Sequence, residues 1–227
     1  MPFPRIDLTV DAAIFGFNIT TGLSILLAKR TESPFKNLWA LPGGFVLENE
    51  TLEEAVTRKI KDDTGLELNY LEQLYTFGNP KRDPRKRVVS VAYFALVNPE
   101  KLKVVIENRN QPITKWYNIN QVPKLAFDHN DIISTAQKRL QAKVFYEPIG
   151  FELLDEEFPF SHLQSLYEAI SNRQIDRRNF HKKFMALDIL KEQNLLLPNG
   201  KGRPAKTYSF DKAKYFKLKK QGIVFEI

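Results

Sequence analysis

The sequence predicts an α/β protein in two parts: an α/β/α sandwich over residues 1–146, then a smaller domain of two helices and a basic hairpin over residues 147–227. Three observations carry this. Strand-sized apolar runs mixed with two helix-period stretches fill the first part. The pattern changes at Glu147-Pro148-Ile149-Gly150, where short helices take over. Charge then concentrates: residues 171–220 hold 14 Lys and Arg against four acids, a local net of +10 in a chain of net +7.

Asp7 to Phe17, rich in Val, Ile and Phe, and Gly22 to Arg30 read as strands on either side of the turn Asn18-Ile19-Thr20-Thr21. Ser33 to Trp39 is a loop leading into Leu41-Pro42-Gly43-Gly44. Residues 52–63 read as a helix, because Leu52, Ala55, Val56 and Ile60 form one apolar stripe. Gly65 suits its C-cap, where a positive φ is needed. Leu71 to Phe77 is a strand, 78–87 a polar, Pro-rich loop, and Val88 to Val97 a long strand. Lys103 to Ile106 and Thr114 to Asn118 are two more strands. Asp128 caps a helix reaching about Lys143, with Ile132, Ile133, Ala136 and Leu140 on one face.

Beyond the boundary, Ser161 begins a helix through Ile170, with Ser161 and Gln164 spaced as a capping box. A turn over 171–175 leads to Asp176, the N-cap of a second helix to about Leu190 that buries Phe180, Phe184 and Leu187. Leu195 to Leu197 and Thr207 to Phe210 form a hairpin tipped by Pro198 to Lys206. This is the order of a winged helix-turn-helix. Arg177, Arg178 and Asn179 sit at the start of the second helix, where Arg can pair with guanine and Asn with adenine in the major groove. Lys182, Lys183, Lys201, Arg203 and Lys206 are the candidates for phosphate contacts. A solvated basic face on a small α+β domain is the plainer alternative. Charge this lopsided favours an anionic polymer.

The segment from Gly44 to Leu66 carries the chemistry. Gly44, Glu50, Arg58, Ile60, Gly65 and Leu66 match the spacing of the Nudix box, a pyrophosphate-hydrolase motif. Chance agreement on an ordinary amphipathic helix would not fill six fixed positions. Three positions differ: Lys59 stands where the motif has its first catalytic Glu, and Asp62-Asp63 replace the Glu pair. Helical spacing places 59, 62 and 63 on one face, where three carboxylates would gather a hard divalent cation against substrate phosphates. Lys59 reverses the charge there, and the two Asp reach one methylene less far. No catalytic residue and no metal or cofactor is therefore expected.

The remaining composition is restrictive in simpler ways. The longest apolar run, Leu23 to Ala28, is strand-sized, so no membrane span is expected. Met1 to Asp7 lacks the pattern of a signal peptide. There are no cysteines, which excludes disulfides and thiolate-bound zinc. A cytoplasmic location is the simplest expectation.

Taken together, Leu41-Pro42-Gly43-Gly44-Phe45-Val46, Arg82-Asp83-Pro84-Arg85, Ala126-Phe127-Asp128-His129, Arg177-Arg178-Asn179-Phe180 and Gly202-Arg203-Pro204-Ala205 resemble the Nudix-related transcriptional regulators over about residues 7–211. That family includes regulators of NAD biosynthesis and arabinose-responsive regulators. The resemblance implies a homodimer on a palindromic operator in double-stranded DNA, with a Nudix-like domain that binds a small effector, ADP-ribose-like or a sugar. Trp39, Phe45, Arg82 and Arg85 are the candidate effector residues, against core packing for the aromatics and solvent for the arginines. A magnesium-dependent ADP-ribose pyrophosphatase is the alternative, supported by Glu50, Arg58, Asp62 and Asp63. A non-catalytic scaffold has no positive sign in the sequence.

Overall fold

The computed structural model describes residues 5–68, 70–102, 113–197 and 204–222. At its centre is β1 (Asp7–Asn18), hydrogen-bonded in parallel to β6 (Val88–Val97) and antiparallel to β2 (Gly22–Lys29). The sheet continues to β3 (Trp39–Ala40) beyond β2 and to β5 (Leu71–Phe77) beyond β6. Two further strands complete the seven among the described residues: β4 (Gly43–Phe45) on β1, and β7 (Thr114–Asn118) on β2. The expected strand at Lys103 to Ile106 lies outside the described residues.

β1 is apolar on both faces because both are covered. Val10, Ala12 and Ile14 meet Ala55, Val56 and Ile60 of α1 (Leu52–Thr64). Ala13, Phe15 and Phe17 share the opposite core with Ile132, Ile133, Ala136 and Leu140 of α2 (His129–Lys143). The result is an α/β/α sandwich. Thr51 and Glu54 form a reciprocal capping box on α1, and Gly65 closes it at φ 75°.

The C-terminal part runs β8 (Glu157–Pro159), α3 (Phe160–Ser171), α4 (Arg177–Ala186), β9 (Leu190–Leu197), β10 (Ala205–Phe210) and α5 (Lys212–Gln221), with sheet order β8-β10-β9. Helix, turn, helix and hairpin make a winged helix. Two expectations change here, and one helix is added. α3 starts at Phe160 with Pro159 as N-cap and no side-chain cap, so Ser161 and Gln164 form no capping box. Gln164 Nε2 instead donates to Glu168 Oε1 and Ile175 O, pinning the turn. α4 ends at Ala186 rather than Leu190, because Asp188 turns the chain at φ 52° and Leu190 already belongs to β9. α5 was not expected; its mixed Lys and aromatic run hides the period, and Tyr215 is its buried side chain.

The two parts share one core. A single apolar cluster runs from Phe15, Leu27 and Leu140 to Leu163, Leu166, Tyr167 and Phe184. α3 packs on both β2 and α2. At the joint the buried Tyr167 hydroxyl donates to Ile149 O at 3.0 Å and accepts from Ile149 N at 3.1 Å. Glu147 accepts from Tyr215 Oη and Lys219 Nζ, and pairs with Lys143. Burial raises the Glu147 pKa, but these donors outweigh it and the carboxyl stays below its ordinary range.

One buried charge ties the sandwich together. The Arg82 side chain is 4% exposed. Its Nε and Nη2 donate to the two oxygens of Asp128 at 2.9 and 2.8 Å, and Nη2 also reaches Asp11 Oδ2 at 3.2 Å. Ser90 Oγ donates to the same Asp11 oxygen at 2.6 Å. Asp128 occupies the N-cap position of α2 but makes no capping bond, since its carboxylate is taken by Arg82. The cluster thus joins β1, β6, the 78–87 loop and α2.

Arg82→Ala should destabilise the protein by about 3–5 kcal/mol, because it leaves Asp11 and Asp128 without their counter-charge in the interior. Urea denaturation followed by circular dichroism measures this, and a variant as stable as the parent would show that the cluster contributes nothing.

Candidate functional site

A cleft of about 440 Å³ opens above the Arg82 cluster. β4 supplies Gly43, Gly44 and Phe45; α1 supplies Arg58, Lys59 and Asp63; the end of β2 supplies Lys29 and Arg30. Arg82, Asp83, Arg85, Phe127 and His129 close the other side. Lys29, Arg30, Arg58, Lys59, Arg82 and Arg85 face four acids, Asp11, Glu32, Asp63 and Asp83, so the lining carries an excess of positive charge. Such a cleft attracts anions.

The charges are ordered pairwise. Arg58 forks onto Glu50 at 2.6 and 2.9 Å and reaches Phe45 O at 3.2 Å. The Arg58 hydrogen bond lowers the Glu50 carboxyl to about 2. Lys59 Nζ donates to Asp63 Oδ1 at 3.0 Å, and Gly43 N donates to Asp63 Oδ2 at 3.0 Å. Arg85 forks onto Asp83 at 2.8 and 3.0 Å. Burial would raise the Asp83 pKa, yet Arg85 brings it below the usual range. Arg30 differs: among the described residues its side chain donates to the backbone carbonyls of Pro34 and Glu32.

Aromatic faces line the outer part. The Arg30 guanidinium lies 4.8 Å from the Phe127 ring centre, and Arg85 lies 5.7 Å from Phe45 and 5.9 Å from Phe127. Guanidinium groups over ring faces are favourable in themselves and leave flat surfaces for another planar group. Phe127 holds φ 54°, a left-handed conformation that costs energy for an aromatic residue. His129 is buried, with Nδ1 accepting from Leu41 N at 2.9 Å and Nε2 3.5 Å from Asp11 Oδ1. Burial pushes its pKa down, so it is the neutral ring with its proton on Nε2.

The structure gathers Phe45, Arg58, Lys59, Asp63, Arg82 and Arg85 in this cleft. Glu50 stands behind it as the partner of Arg58. Two of the expected residues are elsewhere. Trp39 packs edge-on against Tyr117 and does not line the cleft. Asp62 is 54% exposed beside Arg58 and is not on the cleft face with Lys59 and Asp63. Asp11, Arg30, Phe127 and Asp128 were missed. A carboxylate inside the apolar run of β1 was the available signal for Asp11, since a buried charge is always informative.

The donor set does not suit a divalent cation, which needs several converging carboxylate oxygens. Asp63 has both oxygens occupied by donors, and Glu50 is held by Arg58 and by Leu47 N at 2.7 Å. No three His, Asp or Glu side chains converge on one point among the described residues.

A second candidate face lies on α4. Phe180 and Phe184 seat the helix on Phe160 and Tyr167, with ring centres 5.6 Å (Phe160–Phe180) and 5.2 Å (Tyr167–Phe184) apart. Asp176 accepts from Asn179 N at 2.9 Å and caps it. Arg177, Arg178, Asn179, Lys182 and Lys183 are all exposed. Lys206 in β10 pairs with Glu192 at 2.6 Å, and Lys201 and Arg203 lie outside the described residues. The exposed Lys212, Lys214, Lys217, Lys219 and Lys220 of α5 extend the basic surface.

Comparison with known proteins identifies both domains. Residues 7–136 match the NUDIX domain model, and residues 150–210 match the model of the NrtR DNA-binding winged helix domain. The ADPR responsive transcriptional repressor NtrR of Acinetobacter baylyi is 36% identical over 92% of this chain and 83% of its own length. An ADP-ribose pyrophosphatase of Methanocaldococcus jannaschii is 44% identical over 48% of this chain and 63% of its own. The crystal structure of Shewanella oneidensis NrtR with a 27mer DNA superposes with a TM-score of 0.82 at 34% identity, covering 92% of this chain and 95% of that one. The NUDIX domain of the same protein, crystallised with ADP ribose, is 40% identical over 61% of this chain and 90% of its own, with a TM-score of 0.54. A Nudix sandwich and an NrtR winged helix in one chain, matched along nearly its whole length, place this protein in the NrtR family of Nudix-related transcriptional regulators.

Proposed function

We propose that this chain is a transcriptional repressor whose residues 147–227 bind a palindromic operator as a homodimer, and whose residues 1–146 bind ADP-ribose and thereby set the affinity for DNA. The observation that carries this reading is the exposed basic start of α4, fused through a common core to a cation-lined cleft. The names of the Acinetobacter and Shewanella relatives supply the effector and the direction of control. A cytoplasmic location accords with a DNA partner, and no helix of the described residues is long and apolar enough to cross a membrane.

The archaeal pyrophosphatase relative supports a second reading, hydrolysis of ADP-ribose. The cleft argues against it, because Lys59 occupies a carboxylate position and holds Asp63. On the reading proposed here the protein acts as a receptor for its ligand rather than as an enzyme.

With Mg²⁺ or Mn²⁺ the protein should release no AMP from ADP-ribose at a rate approaching the enzyme median of about 10 s⁻¹. Chromatography of the reaction mixture decides it, and turnover of that order would restore the hydrolase reading. Arg178→Ala should narrow the gap between operator and random DNA by about 1–3 kcal/mol, as expected for loss of a base contact. Lys182→Ala should instead weaken all sequences alike and lower the salt slope by about one. Anisotropy titrations on both DNAs separate the two outcomes. ADP-ribose should shift operator affinity by about 5–150-fold, with a reciprocal shift of its own affinity when DNA is bound. Equal affinity for free and DNA-bound protein would remove it as the signal.

A further inference from the structure

The cleft of this chain carries a cation, Lys59, where a metal-dependent site would carry a carboxylate. Resting on the reading of the cleft as the ligand site, we propose that the Lys59 ammonium is its built-in cation: it binds the diphosphate of the ligand directly, and binding needs no divalent metal.

Three lining guanidinium groups are already engaged by carboxylates: Arg58 by Glu50, Arg82 by Asp11 and Asp128, and Arg85 by Asp83. Lys59 has one hydrogen-bond partner among the described residues, Asp63 Oδ1. An ammonium carries three donors, so two remain for a ligand. Its side chain is 21% exposed and lines the cleft.

The seat is built around it. A Cβ on Gly44 would lie 2.8 Å from Lys59 Cε, so the bare backbone at this position leaves room for the lysine stem in its present place. Gly43 N fixes the far oxygen of Asp63, which in turn holds the ammonium in place. The Asp63 charge partly offsets that of Lys59, and Arg30, held by backbone carbonyls and the Phe127 ring with no carboxylate partner among the described residues, restores a positive balance. A compact ammonium is a point charge well suited to phosphate oxygens, and a fixed one does for a diphosphate what a bound divalent ion does between carboxylates.

Isothermal titration of the full-length protein with ADP-ribose, ADP and inorganic pyrophosphate, each in EDTA and in excess Mg²⁺, tests this. The expected result is ADP-ribose affinity unchanged within about twofold between EDTA and Mg²⁺, at least about tenfold weaker in Lys59→Met, and largely retained in Lys59→Arg. Binding that collapses in EDTA would overturn the proposal without any variant, so misfolding of Lys59→Met cannot obscure the answer. Met-variant binding equal to the parent would overturn it as well. If ADP or pyrophosphate binds in EDTA with this Lys59 dependence and ADP-ribose binds in neither buffer, the built-in cation stands and the ADP-ribose reading falls. If none of the three binds in EDTA, the built-in cation falls.

Discussion

A guanidinium that has left water must be met by carboxylates, and that requirement at Arg82 organises the sandwich. Three separate parts of the chain answer it: Asp11 from the central strand, Asp128 from the start of α2, and the 78–87 loop that carries Arg82 itself. The desolvation of such a group works against its charge, and here the two acids overcome it, holding the Arg82 pKa above the ordinary value. Because the loop is drawn down onto the sheet, Asp83 and Arg85 rise beside it as a cleft wall, and Phe127 is held in its strained turn against the other side. The floor of the cleft and the joint between strand and helix are therefore one arrangement of atoms.

The same helix that begins in that cluster ends at the other half of the protein. α2 starts at His129 over the cleft and finishes at Lys143, which pairs with Glu72 of β5 and with Glu147. Fifteen residues span about 22 Å at 1.5 Å each. Glu147 is bonded in turn to Tyr215 and Lys219 of α5. Packed side chains thus connect the cleft and the winged helix without a flexible segment between α2 and α3, where Ile149, Phe151 and Leu153 are buried.

Where period and punctuation agreed, the fold was legible. β1, β2, β5, β6 and β7 lie where alternating or continuous apolar runs place them, and α1 where its stripe and Gly65 place it. The start of α3 was misread because Ser161 and Gln164 fit a local capping pattern, while tertiary demand for the Gln164 amide at the turn won. α5 was invisible because five lysines in ten residues leave one buried anchor, Tyr215. In the cleft, Lys59 and Asp63 could be read from motif spacing. The depth of Arg82 could not: a polar loop with Pro and Arg reads as solvated, and only the fold reveals that Asp11 and Asp128 wait beneath it.

The continuous core also limits how such proteins can be recombined. A cut at residue 147 would look clean in sequence, yet it would expose Leu27 and Leu140 on one side and Leu163 and Leu166 on the other, all within 2% of full burial. Exchanging winged helices between relatives, whether by gene fusion in nature or in the laboratory, means exchanging half of a packed interior. The faces of β2 and α2 would have to travel with the new partner, so the specificity of the DNA end and the shape of the receptor end are inherited together.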